Sequence, residues 1–502
     1  MIEKYYSGVI EQIYNRIGKE TRNIVMANYS NDFSIENLEV IRRYQSNEDN
    51  VFFAYSEFSY NTLVGAYEPF LDIICNMHRR FIGGSFDDFQ KECGVYYLHR
   101  QVLNSYYETG ECFREETVLL NEVAYEQRRM TMAIADMLKK LSEVKPLMIV
   151  INRFQMASKS SIETIKYLID NPCANIGIVL GVNAIVKGAD STVEVWDRIV
   201  ESLEDRSAIY YIGSAGPLKN NVKTTNDDEL YITMNFEQSI QEASNIMEFL
   251  DFEQARRGCR IIEHKLKFED AWIDEKSLRR FYMVYARTSV LLGEMSKAIE
   301  LTNEYKALIP ENDSEHYLSL YYFMKGTCYM YQGKLEKAGN SAKSAYDYAV
   351  LAEDDTLIFK AELLSVMIKM SGWYNIFFCV QDIPVSDEII EKLIKHGYRN
   401  HLAHIYIYAY DNSRDVVKQS FYDESLLKHF TKGLELAKEI GNEQLVYDAY
   451  QKTIMLASTS GLNEIAFLYV IRTYEFMKGH GNIYVARVLT SIGYNLSSMG
   501  KN

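Results

Sequence analysis

The chain has 502 residues, a formal net charge of −15 and a hydrophobic content of 47%. This length and this apolar content predict two or three packed domains and exclude an intrinsically disordered chain. The acidic balance argues against a general nucleic-acid-binding protein, which needs a basic face, so we expect no nucleic acid among the partners.

The number and spacing of the cysteines and the length of the apolar runs indicate the cellular compartment of the protein. The seven cysteines are odd in number and scattered, and none forms a CxxC pair. This pattern predicts reduced thiols in a cytoplasm, with neither a disulfide framework nor a zinc site. The opening MIEKYYSGVI lacks the features of a signal peptide, and the strongly apolar runs are too short to span a bilayer. We therefore expect a cytoplasmic protein with no membrane partner.

Four short apolar runs in the first half predict strands, at residues 23–27, 51–55, 147–151 and 176–182. Continuous apolar runs of this length are typical of strands buried on both faces of a parallel sheet. Helical periods lie between them, most clearly at 126–144 and 161–169. Strands that alternate with helices predict an α/β domain, which we assign to residues 1–215.

The second half of the sequence has a different residue pattern. Residues 216–235 are predicted to be a linker, because the stretch 215–230 is polar and aperiodic. Residues 236–502 show long helical periods separated by short turns, and Gly293, Gly333 and Gly372 lie 40 and then 39 residues apart. A fixed period of this size predicts a helical solenoid of stacked helix pairs.

One unit of this half, residues 323–348, resembles a tetratricopeptide repeat. That family places small residues where two helices touch, because small residues let helix axes approach, and a glycine at the turn. The resemblance implies a surface that holds a protein or an extended peptide. The matching residues are Gly326 and Tyr329 in the first helix, Gly333 at the turn, and Ala338 and Ala345 in the second helix.

Two groups of residues are candidates for partner binding. Tyr321, Tyr322, Tyr329 and Tyr331 cluster in the repeats, and tyrosine combines a broad contact area with a polar tip. Packing between repeats is the alternative role for these four tyrosines. The second group lies at the end of the solenoid and consists of Tyr494, Leu496 and Met499.

The end of the chain suggests an incomplete repeat. Residues 482–499 look like a first helix, and the sequence stops at Asn502 before a second one. Because solenoids normally close with a polar cap, we expect this end to dock a partner or a second copy. The alternative is that the last helix is itself the cap, or that the sequence is cut short.

Residues 146–169 (PLMIVINRFQMASKSSIETIKYLI) resemble the second nucleotide-binding motif of signal-transduction ATPases with numerous domains, P-loop proteins that often precede tetratricopeptide arrays. The strand, Gln155, Ala157 and the following helix match. Where that family has two acidic residues, this chain has Asn152 and Arg153. The resemblance implies that these residues would have to hold Mg²⁺ and polarise water, for which an amide and a guanidinium are poorly suited.

The phosphate-binding loop of that family is missing as well. It should follow the first strand as GxxxxGK[ST], where this chain has NYSNDFS from Asn28 onward. No glycine is available to wrap a phosphate, no lysine meets its charge, and Asp32 would repel it. These departures predict a pseudo-ATPase without a cofactor. The alternative is an unrelated α/β domain with a chance match.

Together these patterns predict an α/β P-loop-like domain followed by an all-α, tetratricopeptide-like solenoid. The predicted function is that of a non-catalytic scaffold or regulatory protein whose repeats bind a protein or peptide, which could be an enzyme. The alternative is a signalling regulator that binds a nucleotide or peptide ligand and switches conformation. His401 and His404 lack an HExxH frame, so we expect helix packing there and no metal site.

Overall fold

The computed structural model describes residues 2–29, 38–46, 50–59, 63–116, 118–119, 122–183, 186–187, 190–212, 223–224, 235–268, 273–374, 387–409, 424–459, 461–478, 489, 493 and 497. The chain forms two compact units. The first is Met1–Arg114 with Val118–Glu294, and the second is Glu115–Thr117 with Met295–Asn502. The domain limits predicted from the sequence, 1–215, 216–235 and 236–502, stay a prediction.

A five-stranded parallel sheet lies in the first unit, with the strand order β2-β3-β4-β1-β6. The four strands predicted from apolar runs are confirmed, whereas β6 and a two-stranded sheet of β5 and β7 were not predicted. Strand β7 falls within the predicted linker. The strands are β1 (Ile24–Tyr29), β2 (Phe52–Glu57), β3 (Leu147–Asn152), β4 (Ile176–Asn183), β5 (Val186–Lys187), β6 (Ile209–Ile212) and β7 (Lys223–Thr224).

Eleven helices of the first unit are described, and they include both that were predicted. A π-helical turn, His78–Ile82, continues α3. The helices are α1 (Ile2–Arg16), α2 (Glu39–Gln45), α3 (Phe70–Met77), α4 (Phe86–Glu92), α5 (Tyr97–Thr109), α6 (Val123–Val144), α7 (Lys159–Asp170), α8 (Asp190–Asp205), α9 (Phe236–Glu248), α10 (Phe252–Phe268) and α11 (Glu275–Leu291).

Both faces of the sheet are buried, as the continuous apolar strands predict. On one face, Val25 and Val179 pack in a single core with Ile10 and Ile13 of α1. Gly177 of β4 allows this approach, because a Cβ there would lie 2.8 Å from Ile17 Cδ1. Side chains alternate along a strand, and those that point to the other face of β3 and β4 are also fully buried.

Every described element after residue 235 is a helix, as predicted. No described helix is both long and apolar enough to cross a membrane. A π-helical turn, Ile405–Ala409, follows α17. The helices of the second unit are α12 (Met295–Ala307), α13 (Ser314–Tyr331), α14 (Leu335–Leu351), α15 (Asp355–Tyr374), α16 (Asp387–Lys395), α17 (Arg399–His404), α18 (Glu424–Ile440), α19 (Glu443–Thr459) and α20 (Asn463–Met477).

The pair α13–α14 has the tight packing that the tetratricopeptide resemblance implies. Four alanines repeat along one side of α14, and all are fully buried. Gly326 of α13 lies where a Cβ would be 3.0 Å from Leu364 Cδ2 and 3.3 Å from Ser341 Cβ. Small residues therefore set the distance between these helices. The alanines are Ala338, Ala342, Ala345 and Ala349.

The turn after α13 shows why glycine is needed there. Gly333 has a φ of 71°, and the N–H of Lys334 donates to the carbonyl of Tyr329 at 2.9 Å. This left-handed closure satisfies the last carbonyl groups of the helix. Gly293, with a φ of 78°, ends α11 in the same way. The two glycine turns predicted at these residues are confirmed.

The third predicted turn, at Gly372, is wrong. Helix α15 continues through this residue to Tyr374, so the glycine lies in its last turn. The turn that precedes α15 instead uses Glu353, which has a φ of 51°. The N–H of Asp354 donates to the carbonyl of Ala349 at 3.1 Å and closes α14. A search for glycine therefore misses this turn, because a glutamate takes the left-handed conformation.

The first unit contains a buried pair of titratable groups. His99 on α5 and Glu126 on α6 are fully buried, with Nε2 and Oε2 2.8 Å apart. Burial raises the pKa of Glu126 to about 8, against the opposing effect of Arg129. Burial, and then the charges of Arg114 and Arg129, holds the pKa of His99 well below its usual range. Both groups therefore favour their neutral forms near neutral pH.

The Glu126 carboxyl should make stability depend on pH. Its pKa is raised above 4.5, so the native state keeps a proton that the unfolded chain releases. Its contribution to stability is complete below pH 4.5 and is lost as pH rises towards about 8. Glu126→Gln keeps a neutral side chain and should flatten this loss in urea unfolding measured across that interval. Glu108→Gln, at an exposed residue of α5, should keep the wild-type slope, and an equal slope in both variants would contradict the assignment.

Two mid-helix glycines test the packing of the helix pair. Gly326→Val should lower the free energy of unfolding by about 1–3 kcal/mol, because its side chain meets Leu364 and Ser341. Gly339 is the matched control, since a Cβ there has no neighbour within 4 Å. Gly339→Val should change stability by less than about 0.5 kcal/mol. Equal effects in denaturant unfolding would mean that close approach at Gly326 does not limit the packing.

Candidate functional site

The carboxyl ends of the central strands meet at one edge of the sheet, where parallel α/β sheets bind ligands. In the register, Tyr29 at the end of β1 lies beside Asn183 at the end of β4. Ile151 of β3 pairs with Leu180, which places Asn152 level with Gly181. The sequence-predicted residues Asn28 and Asn152 therefore belong to the same edge, although the sequence separates them widely.

A hydrogen bond connects two of these strand ends. The hydroxyl of Tyr29 donates to Oδ1 of Asn152 at 2.5 Å, and both side chains are fully buried. Strand β4 lies between β1 and β3, so this bond crosses it at Gly181. A Cβ on Gly181 would lie 2.8 Å from Asn152 Oδ1 and would overlap the hydroxyl of Tyr6. We call Tyr6, Tyr29, Asn152 and Gly181 the strand-end cluster.

The strand-end cluster is neutral. Burial, followed by the neighbouring Tyr29, raises the pKa of Tyr6 well above its usual range, so this phenol keeps its proton. Tyr6 and Tyr29 pack edge to face, with ring centroids 6.3 Å apart. An amide and two phenols offer Mg²⁺ no carboxylate. Asn152 of the cluster is the residue at which the sequence resemblance implies an acid.

Arg153 is the charged residue of the degenerate motif, and it has a carboxylate partner. Its Nη1 lies 3.1 Å from Oε1 of Glu57 at the end of the neighbouring strand β2. The same nitrogen donates to the carbonyl of Phe58 at 3.3 Å. Arg153 has a φ of 55°, a left-handed conformation that is unusual for a residue with a side chain. The ion pair therefore holds the guanidinium against β2.

The other motif residues continue this polar edge. The backbone N–H of Asn183 donates to Oε1 of Gln155 at 3.3 Å. Ser158 caps α7, and its hydroxyl accepts from the N–H of Ser161 at 3.4 Å. Asn28 is buried, and neither polar atom of its amide has a hydrogen-bond partner in the described chain. Asp32 lies outside the described residues.

The predicted partner-binding tyrosines differ in their surroundings. Tyr321 is only 2% exposed, and the ammonium of Lys325 donates to its hydroxyl at 2.8 Å. Tyr322 stacks on Tyr348 with ring centroids 5.6 Å apart. Tyr329 is half-buried. Packing between helices thus accounts for the ring of Tyr321, and the binding role stays a prediction.

The remaining candidates lie at the end of α13 and beyond α20. Tyr331 is half-buried at the last residue of α13. Tyr494, Leu496 and Met499 lie outside the described residues. The helix predicted at 482–499 is described only at three residues, all in helical conformation, and Gly493 is one of them. The open solenoid end therefore stays a prediction.

His401 has a structural role that the sequence spacing does not reveal. In the second unit, His401 Nδ1 lies 2.6 Å from Oε1 of the buried Glu116. The same carboxyl group accepts from the backbone N–H of Asn400 at 3.1 Å, at the start of α17. Glu116 thus caps this helix from a point 285 residues away in sequence. His401 takes part in helix packing, as expected.

The chain is similar to known structures of low sequence identity. No protein-family model and no curated protein matches the sequence. One similar crystal structure is a signal transduction ATPase with numerous domains, with a tetratricopeptide repeat sensor, from Pyrococcus horikoshii. Its identity is 12% and its TM-score 0.43, over 96% of this chain and 83% of that chain. A Rap protein complexed with competence and sporulation factor has 11% identity and a TM-score of 0.34, over 83% and 99%.

The class of protein follows from the chain's own elements. A parallel sheet with helices between its strands precedes helices with tetratricopeptide-like packing. The predicted fold class, an α/β P-loop-like domain followed by a helical-repeat region, is confirmed.

Removing the phenol oxygen of Tyr29 should destabilise the first unit. Tyr29→Phe takes a buried donor from the Asn152 amide, which we expect to lower the free energy of unfolding by about 1–2 kcal/mol. Tyr210→Phe is the matched control, since that hydroxyl makes an exposed hydrogen bond to Gln12. Its effect should stay below about 0.5 kcal/mol. Equal urea midpoints for the two variants would show that the buried hydrogen bond adds no stability.

Proposed function

We propose that the chain is a non-catalytic scaffold or regulatory protein, with a pseudo-ATPase domain at residues 1–215 and helical repeats that bind a protein or peptide. The observation that carries the pseudo-ATPase proposal is the buried hydrogen bond from Tyr29 to Asn152. It joins the two strand ends to which the related family attaches its phosphate loop and its magnesium-binding acid. There the hydroxyl of Tyr29 satisfies the amide oxygen of Asn152.

Charge supports this proposal. Phosphoryl transfer needs cations and Mg²⁺ at the phosphates and a residue that orients the attacking water. At the described strand ends, Tyr29, Asn152 and Asn183 are neutral. The guanidinium of Arg153 is held by Glu57 at 3.1 Å and is therefore directed to β2. Neither a magnesium ligand set nor a cationic phosphate clamp can be built from these groups.

The close packing at the strand ends also supports the pseudo-ATPase proposal. The hydroxyl of Tyr6 and the amide of Asn152 approach β4 so closely that only glycine fits at residue 181. Both phenol rings are fully buried. Opening the strand ends to a nucleotide would require these rings to leave a packed core, with the loss of their buried apolar area.

Partner binding is supported by the helical unit. Helices with tetratricopeptide-like packing present repeated side-chain rows on which an extended peptide can lie. Tyr322, Tyr329 and Tyr331 are half-buried and so retain accessible ring area. Tyrosine is common at the energetic centres of protein interfaces. We assign the contact to these three residues and exclude Tyr321, whose ring is packed between helices.

The pseudo-ATPase proposal predicts no turnover. The full chain, incubated with Mg-ATP, should release no phosphate above the protein-free rate, and its Tm should not change with ATP or ADP. Hydrolysis that is lost in Asn152→Leu, which keeps the side-chain volume, would contradict it. A nucleotide-dependent rise in Tm without hydrolysis would favour the alternative, a regulator that binds a nucleotide and switches conformation.

The proposed partner binding should depend on the accessible rings of the assigned tyrosines. The wild-type chain, used as bait in native extract, should retain a stoichiometric partner that mass spectrometry identifies. The double variant Tyr329→Ala with Tyr331→Ala should retain at least about tenfold less of that partner. Tyr346→Ala is the matched control, since Tyr346 is exposed on α14. Equal recovery by both baits, with unchanged melting curves, would contradict the assigned surface.

A further inference from the structure

A cleft of about 440 Å³ runs along β2 in the first unit. Five consecutive strand residues, 52–56, line it, and consecutive residues point to opposite faces of a sheet. The cleft therefore follows the outer edge of the strand and is not confined to one face. Its other wall is one side of α3 and its continuation, from Pro69 to Arg80. This volume is in the range of ligand-binding clefts.

The edge of β2 has hydrogen-bonding capacity directed away from the sheet. Strand β2 stands at the end of the strand order, and β3 is its neighbour in the described sheet. The N–H groups of Phe52 and Phe58 donate to carbonyls on the β3 side, those of Pro146 and Asn152. Because alternate residues of a parallel strand bond to the same neighbour, the N–H and C=O of Phe53 point to the outer edge. Such an edge can pair with an added strand.

Two carboxyl groups and one guanidinium line the cleft, so it is acidic on balance, and the guanidinium, that of Arg80, lies over the rings of Phe52 and Phe81. Glu68 and Asp72 line it from the α3 side. Oε2 of Glu68 accepts from the N–H of Gly65 at 2.9 Å, and Oδ1 of Asp72 accepts from the hydroxyl of Tyr106 at 2.9 Å. Neither carboxyl has a cationic partner in the part of the chain that the structure describes. A cationic side chain in the cleft would be complementary to them.

A third carboxyl group lies close to Glu68. Oε1 of Glu242 lies 3.0 Å from the point that a Cβ on Gly65 would occupy, and Glu68 Oε2 lies 3.4 Å from it. Burial, followed by the charge of Glu68, raises the pKa of Glu242 to about 7. Burial is also the main cause of the raised pKa of Glu68. A bound cation would offset the repulsion between these groups.

We propose that this cleft docks an extended peptide that pairs with β2 as a further strand and directs a lysine or arginine side chain to Glu68 and Asp72. A peptide paired with the backbone of β2 would contact all five consecutive strand residues of this wall. A small cation would not contact them all. Apolar contacts with Phe52 and Ile149 are available to the peptide's other side chains. The site lies in the first unit and does not use the helical repeats, so its test is independent of the function proposed above.

The test uses a fluorescein-labelled octapeptide of alternating lysine and valine, titrated with the full chain by fluorescence anisotropy. The same peptide with N-methylated alternate residues keeps its charge but cannot pair as a strand, and should bind at least about tenfold more weakly. A glutamate-for-lysine peptide should not bind, and spermine should not displace the parent peptide. No binding of the parent peptide would overturn the proposal. Equal binding of the N-methylated peptide, or displacement by spermine, would show charge attraction or a small-cation site instead.

Variants locate the contact. Glu68→Gln combined with Asp72→Asn should weaken binding of the parent peptide by about tenfold or more. Glu92→Gln is the matched control, because Glu92 is exposed on α4 and its loss changes the net charge in the same direction. Circular dichroism melting establishes that each variant is folded. Equal weakening in the control and the double variant would mean general attraction to an acidic chain and would overturn the site.

Discussion

The hydrogen bond between Tyr29 and Asn152 is the contact on which the carboxyl edge of the sheet depends. It joins β1 to β3 across β4, and it is possible because Gly181 leaves room for the amide and for the Tyr6 hydroxyl. Tyr6 comes from α1, which also packs against Gly177. One helix, three strands and a glycine thus meet at the same buried polar contact, which is made by neutral groups.

The same packing device recurs in the helical unit. Gly326 and the buried alanines of α14 let helices approach, as Gly181 and Gly177 let side chains approach β4. In each case a small residue is the counterpart of a large neighbour, Leu364 in one unit and Tyr6 in the other. A side chain added at such a residue must displace a packed group, which explains why exposed glycines such as Gly339 are under no comparable constraint.

Local patterns predict much of this fold, because continuous apolar runs and helical periods are properties of neighbouring residues. They reveal four strands of the main sheet and the glycine turns at Gly293 and Gly333. They miss contacts made across the sequence: Tyr29 and Asn152 are 123 residues apart, and Glu116 and His401 are 285 apart. The degenerate motif indicates that Asn152 is unsuited to Mg²⁺, but only the structure identifies the phenol that satisfies its amide.

A parallel sheet has unsatisfied polar groups in two places, at its strand ends and along its outer edges. Here two contacts occupy the strand ends, the hydrogen bond of Tyr29 with Asn152 and the ion pair of Arg153 with Glu57. The edge at β2 keeps a cleft and two carboxyl groups, Glu68 and Asp72. Closing the strand ends therefore does not make the domain inert. The groups available for binding then lie along the outer edge of β2 and not at the strand ends. At that edge, backbone pairing and opposite charge select an extended basic peptide.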